Sequence, residues 1–325
     1  MNVYAYRMPG TKEAVKRVSD MLILHNESDC RPGFVFSTFL HSDRIFKIVE
    51  GEEISGIPAG ILEENEIELP DAISTKERHG RYVGEIISSL KDDENKKVVA
   101  ARALRLNKGV DPDILFDRIT ETYPDAFVFF ISTKEFGNWI GASPELLIER
   151  NGNDWMSMAL AGTRPKNTGG DWDFKNRKEQ EIVADYIKSL FILNGLEINE
   201  IKEDTFIAGP VEHIRTLFKA RGIPKNGPLN FISELSPTPA LCGFPKKEAI
   251  QTITKWEGES RKLYGGLVGL YENPESFRLY VNLRSAVLNP SEILMYAGGG
   301  ITKDSHPEVE WEETERKLGT LLNII

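Results

Sequence analysis

The stretch from residue 126 to 164 constrains the fold most. It contains "AFVFFIS", "NWIGASPELLIER" and "DWMSMALAGT", runs rich in β-branched and aromatic residues, and the second and third are joined across "NGND", a hairpin-turn sequence. Strands at hairpin spacing pair antiparallel, because parallel neighbours need a crossover of about a dozen residues or more. The pattern returns in "GGLVGLYE", "SFRLYVNLRSAVL" and "EILMYAGGGI", which predict a meander of sequential antiparallel strands. The first ninety residues add strands at "GFVFSTFL" and "RIFKIVEG" and a helix opened by a capping box from Ser74 to Glu77. "KKVVAARALRL" reads as a further strand, followed by a helix with Asp111 at its N-cap and Pro112 at its first position. Helices are also predicted over about 173–194, over about 247–260 and from about Ser305 onward. Hairpin strands interrupted by separate helices indicate an α+β protein, not a doubly wound parallel sheet.

The chain has 325 residues, enough for one large domain or two ordinary ones. No repeat, low-complexity segment or linker divides it. No apolar run approaches the roughly 20 residues that cross a bilayer, and "MNVYAYRMPGTKEAVKR" lacks the apolar stretch of a signal peptide. A cytoplasmic protein is expected. The net charge of −10 without a long basic cluster argues against nucleic acid or an anionic membrane as partner. An anionic small substrate would then need local compensation from Arg, Lys, a glycine nest or a metal. Cys30 and Cys242 lie far apart without CxxC spacing, which predicts two buried thiols and neither a disulfide framework nor a thiolate metal site.

Carboxylates sit unusually on two helices. At about 100° per residue, Glu310, Glu313 and Lys317 fall within roughly 60° of one another on the last helix. Trp311, Leu318 and Leu322 make an apolar stripe, while Glu308, Glu312, Glu315 and Arg316 point toward water. Ser305 and Glu308 read as a capping box. On the helix near 173–194, Glu179 lies amid Ile182, Val183, Tyr186 and Leu190. A lone buried carboxylate is costly, so Glu179 should be paired, protonated or metal-bound. The plainer alternatives are an exposed acidic helix with a Glu313–Lys317 pair and a Glu179 satisfied by its helix N-terminus. Two helices aiming carboxylates inward suggest an oxygen-ligand site, which favours Mg²⁺. The neighbouring "AGGGI" reads as a turn that could offer backbone N–H groups to an anion, or as an ordinary strand-to-helix turn.

Eight stretches together resemble the chorismate-utilising enzymes: "KKVVAAR", "GASPELLIER", "ALAGTRPK", "KNRKEQEIV", "LSPTPALCGFP", "YGGLVGLYE", "VNLRSA" and "YAGGGITKDSHPEVEWEETERKL". They stand in the family's order from residue 97 to near the end. The resemblance implies a single α+β domain over 1–325, with two stacked antiparallel sheets flanked by helices. Its motif-bearing catalytic part is 96–325, and 1–95 lacks the motifs. It also implies a Mg²⁺-dependent site for chorismate, with Glu179 and Glu313 as direct ligands and Glu310 close by.

Within that family the resemblance points to the isochorismate-forming reaction, which feeds menaquinone or siderophore biosynthesis. Lys97 matches the general base for water, and Glu145 the acid that protonates the departing 4-hydroxyl. Ala161 stands where aminodeoxychorismate-forming relatives carry a nucleophilic lysine. Ala240 matches isochorismate formers better than salicylate formers, which remain the nearest alternative, ahead of a non-catalytic chorismate-binding protein. Arg284 and Lys317, with the backbone near Gly298 and Gly300, match the positions for the enolpyruvyl carboxylate. Gly162, Leu241 and Tyr264 match further pocket positions. His213 resembles a site-lining histidine, or is a satisfied core residue. No glutamine amidotransferase subunit is expected. Three positions depart from the common pattern: Asn176 where an acidic residue is frequent, Ser236 in place of histidine, and Gly299 in place of alanine.

Overall fold

The computed structural model describes residues 1–26, 28–41, 43–90 and 96–325. Among them the strands form two nine-stranded sheets, antiparallel throughout. The first sheet runs in the order Gly243–Phe244, Lys97–Leu106, Ile293–Ile301, Ser285–Leu288, Gly137–Ser143, Phe127–Thr133, Asn2–Arg7, Ala14–Ser19, Glu52–Glu53. The second runs Glu197–Ala208, Val211–Arg221, Asp154–Pro165, Leu146–Asn151, Ser276–Val281, Leu267–Asn273, Gly33–Ser37, Ile45–Val49, Leu22–Leu24. The first ninety residues supply strands to both sheets and so share their core. Among the described residues no helix is long and apolar enough to cross a membrane.

The sheets stack on aromatic side chains. Phe127 of the first lies flat against Tyr280 of the second, with ring centroids 4.3 Å apart, and Phe34, Phe36 and Phe129 fill the same layer. Because side chains alternate along a strand, Val128 and Phe130 point the other way, into a layer shared with the helices Pro112–Thr122 and Pro307–Leu322. Both faces of Phe127–Thr133 are therefore buried, which explains its unbroken apolar run. The helices Phe174–Leu193 and Pro228–Leu235 cover the second sheet through Val183, Ile187, Phe191 and Phe231.

Several expectations are corrected. "NWIGASPELLIER" is two strands, Gly137–Ser143 in the first sheet and Leu146–Asn151 in the second. "SFRLYVNLRSAVL" likewise breaks into Ser276–Val281 and Ser285–Leu288, and the chain changes sheets between them. The meander is thus two hairpins in different sheets. "AGGGI" is no turn: Gly298, Gly299 and Gly300 lie inside the strand Ile293–Ile301, opposite Ala101, Ala100 and Val99, and none has a positive φ. A nest is excluded there.

The helix Lys76–Ser89 is capped by Thr75, whose hydroxyl accepts from the Arg78 N–H; starting one residue later than expected, it leaves Ser74 outside. The last helix begins at Pro307 behind His306. The Ser305 hydroxyl accepts instead from the Thr302 N–H in the preceding turn, and Glu308 pairs with Lys76 at the surface. Leu322 is exposed, and Leu321 and Thr314 join Leu318 on the covered face. Cys242 is buried but Cys30 is exposed.

Candidate active site

The two places where the chain changes sheets lie side by side. The Val281 N–H donates to the Glu145 carbonyl, the Ala142 N–H to the Arg284 carbonyl, and the Ser143 hydroxyl to the Val281 carbonyl. Pro144, which cannot donate to a ladder, and Arg284, held at φ 48°, mark the breaks. Each crossover releases one charged side chain into the gap between the sheets, Glu145 from the first and Arg284 from the second. Both line one pocket, with Glu179, His213, Tyr264 and Lys317. Ala240, Leu241, Gly298 and Gly300 complete the predicted set that lines it.

Lys97 lies beneath this pocket, fully buried, with Nζ 2.9 Å from Glu179 Oε1. Glu179 sits in the second turn of its helix, so its partner is this lysine, not the helix N-terminus. Glycine is required above the pair, because a Cβ on Gly300 would stand 2.3 Å from Glu179 Oε1 and 2.6 Å from Lys97 Cε. At Gly299 a Cβ would meet Glu310 Oε2 at a slightly tight 3.3 Å and Glu313 Oε1 at an ordinary 3.6 Å. The triple glycine thus clears space for three carboxylates arriving from two helices. Each is met by an ammonium: Lys97 at Glu179, Lys317 at Glu313 (2.6 Å) and Lys175 at Glu310 (2.7 Å). Burial raises the Glu313 carboxyl, but Lys317 and Lys175 outweigh it and bring it down to about 2. Glu310 is pushed upward by burial and by Glu313, against the pull of Lys175.

Glu145 has a different environment. Its carboxyl is 1% exposed, Oε1 has no hydrogen-bond partner, and burial pushes its pKa up to about 8 against Lys97 and Lys317. At neutral pH it is a proton donor. Its predicted role as an acid has the protonation state it needs.

At the other end, Arg284 is buried and among the described residues makes no ion pair. Nη1 donates to Thr320 Oγ1 at 2.8 Å and Nη2 lies 3.1 Å from His213 Nε2. A guanidinium can only donate, so His213 Nε2 carries the lone pair. Burial, then Arg284 and Lys317, lower the imidazole to about 3, so the ring is neutral and its proton sits on Nδ1, which donates to the Gly162 carbonyl at 3.0 Å. His213 is therefore both a satisfied buried residue and a member of the pocket wall. A desolvated arginine lacking a carboxylate is an anion site. Lys317 also donates to the Gly298 carbonyl at 2.8 Å. Of the strand Ile293–Ile301, only Ile293–Met295 pairs with the facing strand Ser285–Leu288, so past Met295 that edge of the glycine strand has no strand partner among the described residues, and Gly298 and Gly300 line the pocket.

Gly162 lies behind the wall. It occupies a bulge between Ala161 and Thr163 at φ 64°, where a Cβ would approach the Asn176 carbonyl to 2.9 Å. The bulge turns Ala161 and Thr163 into the pocket. Asn176 accepts from the Thr163 N–H and donates to Asp173 Oδ2 at 2.6 Å, so this departure ties the helix cap to the bulge, a link a second carboxylate could not make to Asp173. Ser236 is buried with its carbonyl accepting from Lys246 and does not line the pocket. Sequence reasoning missed Thr163, Leu283, Tyr296 and Lys175. Tyr296 was legible only as core: it stacks on Tyr264 at 5.2 Å, forming the pocket floor.

Residues 59–325 match the family model described as chorismate binding enzyme. The chain is 31% identical over 241 residues to isochorismate synthase EntC of Escherichia coli (strain K12), a match covering 70% of this chain and 62% of that protein. Its fold matches MenF, the menaquinone-specific isochorismate synthase from Escherichia coli, with a TM-score of 0.80 at 20% identity, covering 100% of this chain and 88% of that one. Anthranilate synthase component I from Streptococcus pneumoniae TIGR4 matches with a TM-score of 0.71 at 17% identity, over 94% and 83% of the two chains. Two stacked antiparallel sheets flanked by helices thus make an α+β fold that this chain shares with both structures. The chain belongs to the chorismate binding enzyme family. The match spans about 62% of the length of EntC.

Proposed function

We propose that the protein is an isochorismate synthase that adds water to C2 of chorismate and expels the 4-hydroxyl. The observation that carries this is the placement of Lys97, buried against Glu179, in the same site as a Glu145 that is protonated at neutral pH. Lys97, as the neutral amine once its ammonium proton has passed to solvent, takes a proton from water as the water oxygen bonds to C2. The ring double bond shifts, the C4–O bond breaks, and Glu145 gives its proton to the departing hydroxyl, which leaves as water. One water enters and one leaves, so substrate and product are isomers. Proton exchange with solvent then restores Lys97 and Glu145.

The donors fit a hard divalent ion. Glu179, Glu313 and Glu310 present carboxylate oxygens to the glycine strand, and Glu310 Oε2 is buried there without a well-formed hydrogen bond, the Ser305 hydroxyl being a neutral donor to that carboxylate. Among the described residues no cluster of three such side chains is already gathered at ligand distance, because each carboxylate turns to its lysine. These residues would hold Mg²⁺, which supplies charge neutralisation for the ring carboxylate. Arg284 binds the enolpyruvyl carboxylate, Lys317 adds positive charge beside it, and His213 fixes the guanidinium plane. Tyr264 and Leu241 close the apolar walls and exclude water other than the reactant. Since the nucleophile is water, no glutamine amidotransferase subunit is required.

The role assignment is tested by Lys97→Ala and Glu145→Gln. Both are expected to bind chorismate but lose turnover by about 10²-fold or more; unchanged kcat in either removes that residue from the chemistry.

A further inference from the structure

Of the three lysines that meet the carboxylates, Lys97 and Lys317 have parts in the proposed reaction and Lys175 has none. Its place is unusual. It is the second residue of the helix Phe174–Leu193, at the positive end of the helix dipole, where a cation is unfavourable. Within the first turn the helix has no acidic residue; the N-cap Asp173 attracts Lys175, but its carboxylate is bonded to Asn176. What holds it is on the other carboxylate helix: Nζ bonds Glu310 Oε1 at 2.7 Å. Burial lowers the ammonium pKa, but Glu310, Glu313 and Glu179 outweigh it and leave it raised.

The bond to Oε1 leaves Glu310 Oε2 buried and without a well-formed hydrogen bond, facing Gly299 beside Glu313 Oε1; besides Lys175 the carboxylate has, among the described residues, only the neutral Ser305 hydroxyl as a side-chain donor. Glu310 is 1% exposed, so water does not satisfy that oxygen, and a dry carboxylate oxygen calls for a cation. The charges close in two ways. Apart from Arg284, which stands at the other end of the pocket, three carboxylates and three ammonium groups sum to zero with no metal, and a divalent ion arriving with a dianionic substrate also adds zero. A divalent ion alone leaves the carboxylate–lysine cluster with two excess positive charges, beside an Arg284 that already has no ion pair among the described residues.

We propose that Lys175 is the resident counter-cation of the metal-free carboxylate cluster and holds divalent-ion affinity low until the dianionic substrate is present. The inference rests on the magnesium site proposed above. Lys175 acts through Glu310 and touches neither substrate nor reacting atoms. Its side chain is 21% exposed, which gives the ammonium a path toward solvent when another cation takes the carboxylates.

The test is Mn²⁺ binding without substrate, read from the free-ion EPR signal at pH 8 in wild type, Lys175→Gln and Lys175→Arg. Gln can still donate to Glu310 Oε1 but carries no charge. Expected is at least tenfold tighter binding in Lys175→Gln, wild-type affinity in Lys175→Arg, and a smaller gain from added chorismate in Lys175→Gln than in wild type. Lys175→Met serves the same comparison if Lys175→Gln does not fold. Equal or weaker binding in the uncharged variants overturns the inference while leaving the metal site standing. No saturable Mn²⁺ binding in wild type, with or without chorismate, overturns the metal site and this inference together.

Discussion

Replacing Glu145 by Gln should remove activity and make the protein more stable. Burial lifts the folded-state pKa of Glu145 from 4.5 to about 8. A carboxyl whose pKa is raised in the folded state leaves stability intact below its unfolded pKa and costs more as pH climbs through the folded value. From those two pKa values, wild type forgoes roughly 4 kcal/mol near pH 7.5 and below about 1 kcal/mol near pH 5. Gln has nearly the same shape and no charge to desolvate. Any fixed cost of the amide is the same at both pH values, so the diagnostic quantity is the growth of the stability gap, about 3 kcal/mol between them. For a chain of this size that is a widening of about 5 °C in melting temperature. Thermal and urea denaturation of the metal-free, substrate-free proteins across that pH range provide the assay. A gap that is constant with pH, or that shrinks as pH rises, refutes a carboxyl held protonated by burial. The activity of wild type should correspondingly fall on the alkaline side as Glu145 ionises through about 8.

Gly300→Ala and Gly299→Ala should separate sharply. The first drives a methyl into Glu179 and Lys97 and should abolish both turnover and Mn²⁺ binding with secondary structure kept by circular dichroism; the second meets only near-ordinary contacts and should retain most activity. Arg284→Gln should raise KM for chorismate by about 10²-fold with a smaller change in kcat, since it removes a charge-assisted contact to a carboxylate remote from the reacting carbons; steady-state kinetics decide, and an unchanged KM excludes Arg284 from substrate binding.

Local pattern made most elements legible. Antiparallel strands, the Asp111 cap and the carboxylate-bearing faces of two helices follow from spacing that depends on near neighbours alone. The changes of sheet do not. A chain that leaves one sheet at Pro144 and enters another at Leu146 keeps its alternation of side chains on both sides of the break, so "NWIGASPELLIER" carries no periodic sign of the crossing. Yet that crossing is what buries Glu145. The glycine triplet was misread for a related reason. Glycines reduce strand propensity and resemble a turn, whereas here they are absences of side chain, demanded by Glu179 and Lys97 arriving from elsewhere in the sequence. Lys175 was invisible because its neighbour Phe174 is exposed and its partner Glu310 lies 135 residues away. Electrostatic partners at that range leave no local signature. The motif resemblance located pocket positions that periodicity could not, including Tyr264 and Leu241, but it did not reveal that Glu179 and Glu310 are held by Lys97 and Lys175.

The central claim is that this pocket adds water to chorismate with the help of a divalent ion. The direct measurement is to incubate the purified protein with chorismate and Mg²⁺, repeat with EDTA, and resolve the products by HPLC. The account predicts isochorismate that approaches equilibrium with chorismate and disappears from the EDTA reaction. Salicylate with stoichiometric pyruvate would contradict it in favour of a synthase that carries isochorismate onward, and bound but unconverted chorismate would contradict the assignment of Lys97 and Glu145 to catalysis.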